Sequence, residues 1–193
     1  MFNLILASAS PRRSELLRQI GVSFEVSVAD VDESHRPPES ITEYVSRLSR
    51  EKAMAVHQQR PKGTAVLGAD TAVTIHSELL GKPTDQNDAR NMLLMLSGQT
   101  HWVHTGVTLV RGDSINTIVA STSVTFDTLS PDEVDAYMVS REWEGKAGGY
   151  AIQGRAARFV RTIAGSYTAV VGLPLWETYR LLKVAGYRDD HGQ

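Results

Sequence analysis

The chain has 193 residues, 41% of them apolar and 22% charged, with 20 basic against 22 acidic side chains. This length and balance point to one globular domain and exclude a disordered chain or a fibre. A net charge of −2 argues against a non-specific grip on nucleic acid or anionic membrane, and the absence of cysteine excludes disulfides, thiolate catalysis and cysteine-ligated zinc.

The opening segment Met1–Ala7 lacks a basic leader and is too short for a signal peptide, so Leu4–Ala7 is predicted as a buried strand. Ser10-Pro11 then starts a helix, with Ser as cap and Pro in the first turn; Leu16, Leu17 and Ile20 line its inner face and Gly21 stops it. Alternation over Phe24–Val28 predicts a strand, and the acidic stretch from Ala29 to Pro38 a loop. Ser40 and Glu43 form a capping box for a helix that carries Ile41, Val45, Leu48 and Val56 and runs to about Gln59. Two strand segments, Ala65–Gly68 and Ala72–Ile75, flank Ala69-Asp70-Thr71. Lys82-Pro83 lies in a loop, and Thr84 caps a helix that ends near Leu96. A hairpin follows, from Val103 through a turn at Gly112-Asp113 to Phe126, then a second capping box, Ser130 with Glu133, and a helix to about Ser140. Six glycines fall between Gly145 and Gly172, around a strand at Phe159–Ile163. A last helix starts at Pro174, turns Leu175, Tyr179 and Leu182 inward and closes at Gly186, leaving a polar tail from about 187. The longest apolar run, Ala169–Trp176, is broken by Gly172 and Pro174 and is far short of the ~20 residues of a membrane span. The expectation is a cytoplasmic protein without a membrane partner. Strands interleaved with helices, and one long hairpin, predict a single α/β domain on a mixed sheet.

Four clusters could carry chemistry. In Ser8-Ala9-Ser10-Pro11-Arg12-Arg13 a strand feeds a helix, where free N–H groups and the helix dipole favour an anion. Two guanidiniums in the first turn oppose that dipole, so phosphate binding explains them better than structure does; two solvated arginines are the plain alternative. Asp70 ends an apolar strand segment, and read alone it fits a metal ligand, a general base or a turn residue bonding its own backbone. Lys52, at the edge of a helix's apolar face, and Lys82 are either phosphate contacts or solvated lysines, while Asp30, Asp32 and Glu33 offer a further oxygen ligand or a solvated acidic loop. The glycine-rich Gly145–Gly154 segment allows a ligand close to the backbone, and Gln153 can hydrogen-bond a base edge; a turn-rich loop without a ligand is the competing reading. His101 and His104 fall on opposite faces of one strand and cannot share a metal. Neither a P-loop, a dinucleotide fingerprint nor a serine-hydrolase elbow is present.

Taken in order, Leu6-Ala7-Ser8-Ala9-Ser10-Pro11-Arg12-Arg13, Gly68-Ala69-Asp70-Thr71, Gly81-Lys82-Pro83, Leu96-Ser97-Gly98, the Gly145–Gly154 loop and Ser166-Tyr167 through Leu175 resemble the Maf family of nucleoside triphosphate pyrophosphatases, from about Leu4 to Leu182. The resemblance implies hydrolysis between the α and β phosphorus atoms, giving a nucleoside monophosphate and pyrophosphate. It implies that Asp70 accepts the proton of the attacking water, and that Ser8, Arg12, Arg13, Lys52 and Lys82 bind phosphate. Glu33 joins Asp70 near a divalent metal, Mg²⁺ or Mn²⁺. Arg12, Thr71 and Gln153 fall where subfamilies differ, and their combination resembles the subfamily acting on dTTP and UTP; the 7-methyl-GTP subfamily is the nearest alternative. A non-enzymatic regulator of septum formation and cell division is a reading of another class, and exclusion of modified nucleotides from nucleic acids is a further role the family suggests. The resemblance also implies an elongated α/β fold like that of inosine triphosphate pyrophosphatases, with a twisted mixed sheet, two lobes around a cleft, and a homodimer. One departure stands out: Gly149 and Ala151 occupy positions where Ala and Gly are more usual in the family, which implies an adjusted loop with unchanged chemistry.

Overall fold

The computed structural model describes residues 2–188, so all of the predicted tail beyond Arg188 lies outside the described residues. In chain order the elements are β1 (Leu4–Ala7), α1 (Pro11–Gln19), β2 (Glu25–Val26), α2 (Ile41–His57), β3 (Ala65–Ile75), β4 (Glu78–Leu80), α3 (Gln86–Leu96), β5 (Thr100–Arg111), β6 (Ser114–Phe126), α4 (Pro131–Ser140), β7 (Val160–Ala164), α5 (Tyr167–Val171) and α6 (Leu175–Val184). All seven strands belong to one sheet in the order β2-β1-β3-β5-β6-β7, with β4 paired to β3. β1 runs parallel to β2 and β3, whereas β3–β4 and β6–β7 are antiparallel, so the sheet is mixed as the interleaved pattern predicts.

The described chain gathers into two compact units, one of residues 2–70, 105–120 and 172–188, the other of residues 71–104 and 121–171. In the first unit, Ile5, Ala7, Val66 and Val110 of the sheet pack with Ala53 and Val56 of α2. Two strand glycines allow α2 that close. A Cβ on Gly68 would lie 2.3 Å from the Ser49 carbonyl oxygen, and one on Gly106 would lie 2.3 Å from that of Val45. The Ser49 hydroxyl, at the same contact, meets the Thr108 hydroxyl at 2.8 Å. The second unit holds an aromatic core in which Phe126 meets Tyr150 and Phe159 edge-on, His101 sits edge-on to both Phe126 and Tyr150, and Tyr137 closes on Phe159.

Both predicted capping boxes form, at Ser40 with Glu43 and at Ser130 with Glu133. Several local expectations change. The predicted strand at 24–28 shrinks to Glu25–Val26, because β2 lies at the end of the sheet and leaves Val26 and Val28 exposed, so the alternation has no core face to serve. The two segments around Asp70 are one unbroken strand, β3. The cap of α3 is Asp85, whose carboxylate accepts the Asp88 N–H at 2.8 Å; Thr84 instead donates its own N–H to Asp88. Ser10 stands at the start of α1 but makes no capping bond through its side chain. In α6 the fully buried positions are Thr178, Leu181 and Leu182, with Leu175 and Tyr179 half-buried.

Candidate active site

The site grows from the end of β1 and the middle of β3. β1 is buried along its whole length, and the chain leaving it turns at Ser8 into α1. The buried Ser8 hydroxyl accepts the Ser10 N–H at 3.2 Å and the Arg13 guanidinium at 3.2 Å. Arg13 also donates to the Gly172 carbonyl at 2.8 Å, so its fork is fixed at two points. The Ser10 side chain caps none of the first-turn N–H groups, and no acid occupies that turn. The turn is therefore electropositive, as the sequence predicts. Burial lowers the Arg12 and Arg13 guanidiniums from their ordinary range, and for Arg13 the charges of Asp70 and Glu33 oppose that shift. Both stay cationic, because a guanidinium does not deprotonate in a protein.

Asp70 is buried in mid-strand rather than in a turn. Its Oδ1 lies 2.7 Å from Lys52 Nζ, and the same ammonium lies 2.6 Å from Glu33 Oε1. Lys52 is itself buried, because the edge of the apolar face of α2 packs directly over β3. A solvated lysine is thus ruled out: burying an ammonium demands a partner, and two carboxylates supply it. The rest of the acidic loop does not join them. Asp32 accepts the Ser34 N–H and pairs with Arg36, while Asp30 is exposed. Among the described residues no group of three or more His, Asp or Glu converges on one point. Beside Glu33, the Tyr44 hydroxyl donates to the Glu33 carbonyl at 2.8 Å. Burial first, then the charges of Asp70 and Glu33, push the Tyr44 phenol up to about 12, so it remains a donor.

The structure thus joins Ser8 to Arg13, joins Glu33, Lys52 and Asp70, and sets Arg12 beside Arg13, all in the first unit. Thr71, Lys82 and Gln153 belong to the second unit. Thr71 is half-buried and, one residue after Asp70 in β3, points from the other face of the strand. Lys82 is exposed in the loop after β4, and Gln153 is exposed in a turn of the glycine-rich loop. Those two loops are tied together by the Gly148 N–H donating to the Gly81 carbonyl at 3.1 Å. Gly148 and Gly149 hold φ near +70°, a conformation that side chains disfavour; this is the physical content of the unusual glycine at 149. The sequence pattern did not single out Tyr44 or Arg47. The available signal was their position on α2 one to two turns ahead of Lys52, facing the acidic loop.

A mixed sheet with helices packed on it, entered through a strand-to-helix turn, defines an α/β protein. Within that class the Maf-like protein family matches residues 3–185, and the chain belongs to that family. It is 52% identical over 182 residues to the dTTP/UTP pyrophosphatase of Escherichia coli (strain K12), covering 94% of this chain and 92% of that protein. It is 50% identical to the dTTP/UTP pyrophosphatase of Pseudoalteromonas atlantica over 93% of this chain and 95% of the other. A solved HAM1 protein from Coxiella burnetii shares the fold, with a TM-score of 0.53 at 16% identity over 95% of this chain and 100% of that one.

Proposed function

We propose that this chain is a metal-assisted nucleoside triphosphate pyrophosphatase that hydrolyses dTTP and UTP between the α and β phosphorus atoms. The observation that carries the reading is Asp70, buried in mid-strand and held with Glu33 on the Lys52 ammonium beside an arginine-bearing helix start. Half-identical relatives named dTTP/UTP pyrophosphatase support the choice of substrate.

Cleaving a phosphoanhydride asks for positioning and for stabilisation of spreading negative charge more than for covalent work by the protein. Arg12, Arg13, Lys52 and Lys82 supply that charge, and the Ser8 hydroxyl fixes the Arg13 fork. Glu33 and Asp70 fit a hard divalent cation: their oxygens converge within 2.6 and 2.7 Å of one ammonium. Mg²⁺ uses one or two carboxylates and completes its shell with phosphate oxygens and water. When bound, Mg²⁺ or Mn²⁺ neutralises the phosphate oxygens. Asp70 orients the attacking water and takes its proton. Arg12, Thr71 and Gln153 select the base, with the Gln153 amide able to meet a pyrimidine edge. The family resemblance adds a homodimer acting in the cytoplasm.

The test is pyrophosphate release from dTTP, UTP, CTP, GTP, 7-methyl-GTP and ITP with Mg²⁺ or Mn²⁺, beside an Asp70→Asn variant. Preference for dTTP and UTP, lowered at least about 100-fold in the variant, is the expected result. A purine preference would keep the reaction and overturn the roles of Arg12, Thr71 and Gln153. No release from any triphosphate would sink the enzyme and leave the division regulator.

A further inference from the structure

We infer that Tyr44 and Arg47 of α2 are positioning residues for Glu33, holding the loop between β2 and α2 so that its carboxylate reaches Lys52 and Asp70. The inference rests on the proposed role of Glu33 in the catalytic cluster. Residues 29–39 contain neither strand nor helix, so no ladder of backbone bonds fixes Glu33. Yet its carboxylate sits 2.6 Å from Lys52 Nζ, a placement a free loop would not keep.

The anchors come from one helix. Tyr44 donates to the Glu33 carbonyl at 2.8 Å, and Arg47 Nη2 donates to the next carbonyl, Ser34, at 2.9 Å. The same guanidinium grips both oxygens of Glu39, Nε at 2.9 Å and Nη2 at 2.7 Å, and its Nη1 reaches Glu51 at 3.2 Å. Arg36 also meets Glu51, from the loop side, at 3.3 Å. Consecutive carbonyls at 33 and 34 and the loop's last carboxylate are therefore clamped by two side chains. Tyr44, Arg47 and Glu51 follow helical spacing toward Lys52, so the helix that presents the ammonium also aims the carboxylate that meets it. The Arg47 and Glu39 side chains retain only 18% and 13% exposure, so this bidentate pair is partly shielded from water and holds its geometry more firmly than a surface pair. Arg47 accordingly holds the Glu39 carboxyl down at about 2.

The experiment is a double-mutant cycle on the full chain: Tyr44→Phe and Arg47→Lys, each in the native and in the Glu33→Gln background. Three quantities are read: kcat and KM for dTTP, Mn²⁺ affinity of the ligand-free protein by electron paramagnetic resonance, and hydrogen exchange of the amides at 33–39. Tyr44→Phe removes one hydroxyl and keeps the ring, so the thermal midpoint stays close to that of the parent. The expected result is faster exchange at 33–39, Mn²⁺ binding weakened about tenfold, and kcat lowered more than KM is raised. In the Glu33→Gln background the same substitutions change neither Mn²⁺ affinity nor kcat further. Equal losses in both backgrounds, or faster exchange with unchanged Mn²⁺ affinity and kcat, would overturn the inference and leave the clamp a purely structural device. If the parent protein releases no pyrophosphate the proposed reaction fails, while exchange and Mn²⁺ affinity still decide the positioning role.

Discussion

A buried ammonium and a buried carboxylate are stable only as a pair. Lys52 and Asp70 each keep 10% side-chain exposure, so water does little to replace a lost partner. Lys52→Met leaves Asp70 buried beside Glu33 without its close ammonium partner, and breaking such a pair costs about 3–5 kcal/mol. The expected result is a urea midpoint lowered accordingly, with much of the loss recovered in Lys52→Met combined with Asp70→Asn, where no buried charge is orphaned. A midpoint unchanged by Lys52→Met would mean that the pair is open to solvent. The sequence revealed Ser8 and the two arginines through a local motif, because each sits beside the strand end and helix start that give it meaning. Asp70 stood out as a lone acid in an apolar run, although the strand end expected there is the middle of β3. For Lys52 it offered only an ambiguous place on a helix edge, since the deciding partner lies 18 residues away on another element. Tyr44 and Arg47 stayed hidden for a related reason: Tyr44 bonds a main-chain carbonyl, and Arg47 bonds another beside its two carboxylates. Every residue carries a carbonyl, so no residue type announces that contact.

The packing of α2 on the sheet decides whether those side chains meet. A methyl at Gly106 would stand 2.3 Å from the Val45 oxygen and 2.6 Å from its carbonyl carbon, so Gly106→Ala must lift the first half of the helix. Gly68→Ala meets the Ser49 oxygen and the Ala53 nitrogen, at 2.3 and 2.8 Å, and must lift the turn that carries Lys52. Each is expected to cost about 1–3 kcal/mol by chemical denaturation, as overpacking does. Gly68→Ala, two residues from Asp70, should show the larger fall in kcat. Equal kcat values in the two variants would mean that the Lys52–Asp70 contact tolerates the shift. Helix starts marked by Ser40 with Glu43 and Ser130 with Glu133 were legible because a capping box is a local bond pattern. The continuity of β3 was not. A carboxylate inside a run of apolar residues reads as a break until Lys52 is known to neutralise it in place.

Acid stability belongs to the molecule as a whole, and His101 and Glu39 are two of the groups that shape it. His101 has no exposed surface and burial pushes it down to about 4, so the folded protein holds it neutral while the unfolded chain protonates it below about 6.5. Its contribution is complete above about 6.5 and is lost as pH falls toward 4, a difference of roughly 3 kcal/mol. Glu39, depressed to about 2, extends the loss of stability below the ordinary carboxylate range. Denaturation midpoints measured from pH 7 to pH 4 should therefore fall steeply for the parent and less for His101→Gln; parallel slopes would remove His101 as the cause. The α/β class and the mixed sheet were readable from interleaved periodicities, because each period reflects one buried face. The division into two units was not readable from periodicity, since each is assembled from distant stretches of chain; only the family resemblance implied two lobes.

That division bears on how the protein is made. The chain passes from one unit to the other at 70/71, 104/105, 120/121 and 171/172, so neither unit is one continuous stretch. Emerging from a ribosome, Ile5, Ala7, Ala53 and Val66 must wait for Val110 before their core closes. Arg13 waits longer still, for the carbonyl of Gly172, 159 residues away. The arginine-bearing end of the site is therefore completed only after Gly172 has been made. Until then the nascent chain carries charged groups intended for the site without the backbone that aims them, and a truncated product would have Asp70 and Lys52 but not the finished grip around Ser8.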